Sequence, residues 1–364
     1  MPSKGTGAVS YRQVAADLAR QVGEGVYAPG EKLPSERALC DLYSVSRITI
    51  RHALSGLVSQ GLVTSVAGKG NFVAVSTPPK GEVRGAIAFV RCRHSLEWTS
   101  VTGDVFYQGI LSGAEMAGAK GGSVCIYSSL YEDAPDEAIL RSLTGKVDGI
   151  VACEVRGEAF LERLTAAKVP VVLVSSSLDS NSVDSVEIDN RRGSKEAVKH
   201  LVSLGHTRIA HIGGPQASRP ASARRLAYAE AMAESGLATP SGCAVARGWR
   251  LEDGYDAMQA LLCSAEATSA VFAASDLLAL GALQATVATG LAVPGDISIV
   301  GFDDIALAAQ SVPGLTTARV PLVDMGKIAV DLLRQKTEGD RTVSIKVTVP
   351  VELVVRDSTA VPRR

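Results

Sequence analysis

The sequence has no stretch of about 18 uninterrupted apolar residues, the length a membrane-spanning helix requires. Its N-terminus, MPSKGTGAVSYRQVAADLAR, lacks the apolar run of an export signal. These two absences give the expectation of a cytoplasmic protein with no membrane partner. Aromatic residues are scarce, at 4% of the chain, while glycine reaches 35 copies and alanine is abundant, a composition suited to helices packed closely on sheets. The six cysteines (Cys40, Cys92, Cys125, Cys153, Cys243, Cys263) form no C-x-x-C pair and no metal-ligand spacing. Five of them sit in or beside apolar runs, so thiols buried in a reducing compartment are expected, and no metal. His200, His206 and His211 do not change that expectation, because only the first lies well inside a helix-like stretch and the others accompany a strand-like one. No G-x-G-x-x-G follows a strand-like run, no Ser/His/Asp set has a recognisable setting, and Gly68-Lys69-Gly70 lacks the frame of a phosphate-binding loop. Neither an enzyme nor a cofactor is expected.

Charge of one sign is also missing overall, with a net charge of −1 over 364 residues. Its distribution is uneven. Residues 1–75 carry eight Lys/Arg and five Asp/Glu, a net +3, and the remainder carries −4. From Leu42 to Val75 no acid occurs, while Arg47, Arg51 and Lys69 do. Such a length of chain exceeds one comfortable core, and the two parts have different electrostatic tasks.

Ser10-Tyr-Arg-Gln13 has capping-box spacing, and Val14, Leu18 and Val22 follow on one helical face. Residues 27–36, YAPGEKLPSE, read as a turn-rich connection, and Ser35 as the N-cap of a short helix burying Ala38, Leu39 and Leu42. The next helix is predicted to begin after Ser46, with Ile50, Leu54 and Leu57 inward and Arg47, Arg51 and Ser55 on another face. Two short strands, 62–66 and 71–75, then flank a tight turn. Three helices and a hairpin describe a winged helix-turn-helix. Like charges four residues apart cost an isolated helix a few tenths of a kcal/mol, roughly. That cost is offset when the first turn enters a major groove, where arginine reads guanine and neutralises phosphate.

The stretch LPSERALCDLYSVSRITIRHALSGLVSQGLV resembles the DNA-binding domain of GntR-family regulators, over about residues 8–75. The resemblance implies DNA contacts by Arg37, Arg47, Thr49, Arg51 and Gly68, and Lys69 beside that glycine is expected to meet a phosphate. Residues 76–84, with Pro78 and Pro79 adjacent, read as an extended linker.

From residue 85 short apolar runs at 85–90, 123–128, 149–153, 170–175, 208–213, 269–274 and 297–302 alternate with helical stretches such as 104–120 and 190–204. That alternation predicts parallel sheets with helices on both faces, in two doubly wound lobes whose ligands bind beyond the carboxyl ends of the strands.

VDSVEIDNRRGSKEAVKHLVSLGHTRIAHIGGP, AVFAASDLLALGALQATVATGLAVPGDISIVGFDDI and LTTARVPLVDMGK closely resemble the effector domains of LacI/GalR-type repressors, over about residues 85–357. The resemblance implies an α/β fold of the two-lobed, type I periplasmic-binding-protein kind, a small effector that is usually a sugar or nucleobase, and dimerisation. The first lobe is expected at about 85–188 and 320–340, the second at about 189–319 and 341–357. Matched positions imply effector contacts by Phe106, Arg224, Trp249 and Asp303, with Ser175 and Ser275 standing where many relatives have acids or amides. One cation, one carboxylate and one aromatic plane suit a polyhydroxyl compound. By residue type alone Trp249 reads as a packing residue and Asp303 as a helix cap; the motifs reverse both. The linker has no counterpart of the hinge helix of LacI/GalR relatives.

A GntR-type reader on such a domain looks like the AraR-type group of arabinose repressors. The expectation is therefore a homodimeric repressor of carbohydrate-use genes, bound to a palindromic double-stranded operator and released by a small polyhydroxyl effector. The alternatives are a regulator answering a nucleoside or other non-sugar ligand, a solute-binding protein, which would have no use for residues 1–75, or an enzyme on the same scaffold.

Overall fold

The computed structural model describes residues 11–23, 26–27, 31–59, 63–66, 70–73, 85–93, 105–131, 143, 145–166, 168–178, 180–240, 243–264, 268–339, 341 and 343–363. The chain divides into two units, Met1–Val83 and Arg84–Arg364. The linker expected at 76–84, and Gly68 and Lys69 of the wing turn, lie outside the described residues.

In the first unit α1 (Tyr11–Gly23), α2 (Glu36–Tyr43) and α3 (Arg47–Ser59) precede β1 (Val63–Val66) and β2 (Gly70–Val73). Ser35 caps α2 by accepting from the Ala38 amide at 3.2 Å, and Ser46 accepts from the Thr49 amide at 3.2 Å. Ser10 is outside the described residues. Between the two helices Ser44 adopts φ 52°, and its backbone N–H closes α2 on the Cys40 carbonyl. This left-handed turn sets α2 against α3. Val14, Leu18, Leu39, Ile50, Leu54 and Leu57 form the shared core, each contributing about 1.5–3 kcal/mol by its removal from water. Leu42, expected inward, is exposed, and so is Ala38.

β1 and β2 pair antiparallel with Val63 opposite Val73. The connection before α2 is more than a turn. Lys32 bridges to Phe72, the Leu33 amide donates to Asn71 O at 2.9 Å, and the Val73 amide donates to Glu31 O at 2.8 Å. A short third strand thus ties the wing to the helices.

The second unit holds two six-stranded sheets. The first contains β3 (Gly85–Arg93), β4 (Ser123–Tyr131), β5 (Gly149–Cys153), β6 (Val171–Val174), β7 (Asp184–Ile188) and β13 (Lys346–Val349), in the order β13-β7-β6-β5-β3-β4. All of its pairs are parallel. β5 and β6 are buried on both faces, as continuous apolar runs require. Helices α4 (Val105–Lys120), α5 (Glu158–Thr165) and α11 (Leu322–Thr337) belong to this lobe. The second sheet contains β8 (Ile209–Gly213), β9 (Ala244–Val245), β10 (Ala270–Ala273), β11 (Ser298–Asp303), β12 (Thr316–Arg319) and β14 (Glu352–Val354), ordered β14-β12-β11-β10-β8-β9. Only β14 runs antiparallel in it. Its helices are α6 (Asn190–Ser203), α7 (Arg219–Glu234), α8 (Leu251–Leu262), α9 (Asp276–Ala288) and the short α10 (Ala306–Gln310). α8 and α9 touch backbone to backbone: a Cβ on Gly281 would lie 2.0 Å from Leu251 O, so only glycine permits the crossing.

One boundary differs from expectation. Residues 341–349 were expected in the second lobe, yet β13 pairs with β7 in the first lobe's sheet. The buried Asp184 carboxylate fixes this, because Arg341 bonds it at 2.6 and 2.9 Å and the Ile345 amide at 2.8 Å. The chain therefore passes from the first lobe to the second near residue 350. Burial pushes the Asp184 carboxyl up, but the Arg341 and Ile345 hydrogen bonds outweigh it and hold the group below its ordinary range.

Candidate DNA-reading face and effector cleft

On the first unit, Arg47 and Arg51 extend from the start of α3 with side chains 69% and 62% exposed. Arg37 is also exposed, and Thr49 Oγ1 lies 2.9 Å from Ser46 Oγ. The acid-free stretch from Leu42 to Val75 predicts that no acid offsets Arg47 and Arg51. The structure corrects this: Glu36, at the start of α2, accepts from Arg47 Nε at 2.9 Å and from Arg51 Nε at 3.1 Å. The acid comes from the neighbouring helix, so a count along α3 does not reveal it. The Arg47 hydrogen bond, the largest influence on Glu36, holds its carboxyl below the ordinary range. An exposed pair of this kind is worth no more than about 1 kcal/mol, so it orients the two guanidinium groups and still yields to a phosphate or a guanine edge. Ile48, on the same turn, is 70% exposed. It belongs neither to the buried stripe nor to the basic face read from the sequence, yet an apolar side chain there can pack on a thymine methyl.

On the second unit, a cavity of about 330 Å³ opens between the lobes and is lined by Phe106, Ser175, Arg224, Trp249, Ser275 and Asp303 among others. All six effector-site residues expected from the sequence therefore meet in one place. The strand ends position them. Ser175 follows β6, Asp303 ends β11, and Glu154, another lining residue, follows β5. Their φ values of 47°, 114° and 64° place non-glycine residues in left-handed backbone, a conformation costing about 1–3 kcal/mol each. Asp303 is not a helix cap: α10 begins after Ile305 with no side-chain cap. Ser275 does cap α9, accepting from the Leu278 amide at 3.3 Å, while also lining the cavity.

Arg224 is 3% exposed and held on three sides. Its Nε donates to Asn190 Oδ1 at 2.8 Å, and its Nη1 donates to the Ala274 carbonyl and to Asp303 Oδ1, the latter at 3.2 Å. Its guanidinium carbon stands 3.7 Å from the Phe302 ring centroid and 5.9 Å from that of Trp249. Burial raises the Asp303 carboxyl to about 6, against the opposing pull of Arg224. Asp276, fully buried behind the cleft, is pushed well above its ordinary range, first by burial and then by Asp303. It accepts from Thr317 Oγ1 at 2.5 Å and the Ile305 amide at 2.9 Å, tying the cleft loop to β12. Trp249 sits in the turn between β9 and α8, over Gly214, where a Cβ would come within 2.4 Å of the indole.

The first-lobe wall was missed. Arg91, Arg93, Tyr107, Glu154 and Arg156 line the cavity. The Arg91 guanidinium lies 4.6 Å from the Tyr107 centroid, and Arg156 Nη2 donates to Glu154 Oε1 at 3.1 Å. The available signal was the sequence FVRCR: β3 runs to Arg93, beyond the apolar run ending at residue 90, and two arginines two apart share one strand face.

The histidines have structural bonds. His211 lies within β8, stacked on Tyr228 and Phe272, and burial lowers it to about 4. His206 meets Ser269, Ser298 and the Ala360 carbonyl, and His200 meets Thr359. Of the cysteines, Cys92 and Cys153 are buried, Cys40, Cys125 and Cys243 are half-buried, and Cys263 at the end of α8 is exposed, so full burial holds for two of them.

A winged helix-turn-helix followed by a two-lobed binding fold with a polar cleft defines a DNA-binding regulator with a small-molecule site. The model of bacterial regulatory proteins of the gntR family matches residues 10–73, and that of the periplasmic binding protein-like domain matches residues 198–359. The chain is 32% identical over 257 residues to the HTH-type transcriptional regulator CelR of Thermobifida fusca, covering 70% of this chain and 76% of that one. It is 36% identical over 219 residues to the HTH-type transcriptional regulator DegA of Bacillus subtilis, covering 59% of this chain and 65% of that one. Among solved structures it is similar to a transcriptional regulator CelR–cellobiose complex, at 26% identity, TM-score 0.68, and coverage of 90% of this chain and 100% of that one. A LacI family transcriptional regulator from Mycobacterium smegmatis matches at 30% identity and TM-score 0.65, over 76% of this chain and 100% of that one. The chain belongs to the family of HTH-type transcriptional regulators built on the LacI-type, periplasmic-binding-protein-like domain, and its DNA-binding domain is of the gntR family. It is a transcriptional regulator, not an enzyme. No helix among the described residues is long and apolar enough to cross a membrane.

Proposed function

We propose that the protein is a cytoplasmic, homodimeric repressor of carbohydrate-use genes, bound to a palindromic operator and released when a small sugar-like compound occupies the cleft. One observation carries this reading: Arg224, Asp303 and Trp249 converge on a single cavity at the carboxyl ends of parallel strands. A guanidinium and a carboxylate supply donors and acceptors for vicinal hydroxyls, and the indole offers a flat apolar face to sugar C–H groups. The similarity to a cellobiose-bound regulator supports the same ligand class. On the first unit, Arg37, Arg47, Thr49 and Arg51 read the operator, joined by Gly68 and Lys69 of the wing. Two-fold pairing matches two such faces to two half-sites.

Thermal-shift and calorimetric screening of the full chain against pentoses, hexoses, disaccharides, polyols and nucleosides tests the reading, because a ligand that binds only the folded state raises its stability by mass action. A sugar hit that also weakens operator binding is expected. A nucleoside hit with no sugar hit would replace the carbohydrate reading.

A further inference from the structure

We propose that Ile48 fixes one base pair of each operator half-site by packing on a pyrimidine C5-methyl, that of thymine or of 5-methylcytosine, at the floor of the major groove. This rests on the reading of α3 as the operator-reading helix given above and narrows it.

A lone apolar side chain in water is ordinary on a protein surface; the direction of this one is not. Ile50, Ala53, Leu54 and Leu57 are buried and define the inner side of α3. At about 3.6 residues per turn, Ile48 projects from the side of the helix opposite those residues, with Arg51 and Ser55 next to it. Arg47 and Arg51 stand to one flank, held by Glu36 of α2 at 2.9 and 3.1 Å. His52 stands to the other, its ring edge-on to Tyr11 with centroids 5.9 Å apart. Among the described residues in the first two turns of α3, Ile48 is the one exposed apolar side chain, at 70%. Thr49, next along, is half-buried, with its hydroxyl 2.9 Å from that of Ser46.

Groove chemistry says what such a residue meets. In a recognition helix the side chain pointing straight away from the core comes nearest the base edges, and those at its flanks come nearer the phosphates. Isoleucine has no donor or acceptor, so against the polar edge of guanine, adenine or cytosine it strips away water and returns no hydrogen bond. Among the four standard bases, thymine alone adds a methyl group on the major-groove side. Packing on that methyl removes apolar surface of both partners from water. 5-Methylcytosine carries the same methyl at the same ring position and offers the same contact. Charge complementarity favours a duplex over a protein as the occupant: two guanidinium groups share the single Glu36 carboxylate beside Ile48, and a phosphate backbone balances the cation left over.

The test is an electrophoretic shift with the duplex that the full chain itself enriches from a random library, at about 0.15 M salt. Each thymine of one half-site is replaced in turn by uracil, which deletes only the methyl. At one position the replacement is expected to weaken binding about fourfold. Ile48→Ala is expected to lose that factor at each half-site of the parent duplex, and to bind the parent and uracil duplexes equally. Cytosine and then 5-methylcytosine at the same position repeat the comparison: the methylated form binds the parent protein more tightly, and Ile48→Ala does not distinguish the two. The side chain is exposed and alanine favours helix, so the variant is expected to melt as the parent does. Uracil tolerated at every thymine, or a methyl preference that persists in Ile48→Ala, would overturn the assignment. So would an unchanged duplex affinity with an altered oligomeric state in sedimentation, which would give Ile48 to a protein partner. Arg47→Ala and Arg51→Ala separate this from the broader reading. If they weaken binding while the uracil series is flat, α3 remains the reader and only the role of Ile48 falls. If neither they nor Ile48→Ala alters binding, or no sequence is enriched, both readings fall.

Discussion

Arg224 Nη1 and Asp303 Oδ1 meet at 3.2 Å in the wall of the cleft, a buried pair contributed by α7 and the end of β11. Burial raises the Asp303 carboxyl to about 6 in the folded chain, above the ordinary carboxylate range. An acid raised on folding lends stability that is complete below its unfolded pKa and is lost as pH rises through the folded one. Melting curves should therefore show the difference between the parent and Asp303→Asn moving against the parent between about pH 4 and pH 6, by about 1–3 kcal/mol, and level above. Parallel pH profiles would show that Asp303 titrates normally.

Glu36 orients Arg47 and Arg51 but also cancels one of their charges. Arg47→Ala and Arg51→Ala should each weaken operator binding by about 1–3 kcal/mol. Glu36→Gln should act differently, strengthening binding to unrelated DNA and steepening the salt dependence by roughly one counterion. Electrophoretic shifts over a salt series separate the two; equal loss on specific and unrelated DNA for Glu36→Gln would mean the acid serves only the fold.

Gly214→Ala drives a methyl group into the Trp249 indole, 2.4 Å from its nearest ring atom. The indole must leave its place over Gly214, and effector affinity should fall by about 1–3 kcal/mol with operator affinity retained. Tryptophan fluorescence during effector titration reports both the displacement and the weakened binding.

Arg341→Ala removes the bidentate partner of Asp184, whose side chain is fully buried, leaving Lys336 at 3.6 Å. Breaking a buried pair in this way costs about 3–5 kcal/mol. Denaturant unfolding of the variant should show that loss, and Asp184→Asn combined with Arg341→Met should recover part of it. A loss below about 1 kcal/mol would make the pair equivalent to an exposed one.

Sequence alone marked out many of the elements and, through the resemblance, pointed to six residues that line one cavity, four at matched positions and Ser175 and Ser275 as departures. Apolar runs at 149–153 and 208–213 fall within a residue of β5 and β8, because a strand buried on both faces cannot hide its composition. Ser35 and Ser46 announced the starts of α2 and α3, because capping is a local bond between residues three apart. What tertiary structure alone decided involves partners far apart in the chain. β13 alternates exposed and buried residues at a sheet edge, so its lobe was set by Asp184 meeting Arg341, more than 150 residues away, and not by its own pattern. Glu36 meets Arg47 and Arg51 only because Ser44 turns α2 onto α3. The first-lobe arginines gather because parallel pairing brings the ends of β3 and β5 side by side, with Arg91 opposite Cys153 in register. Periodicity reports which way a residue faces; only packing reports what it faces.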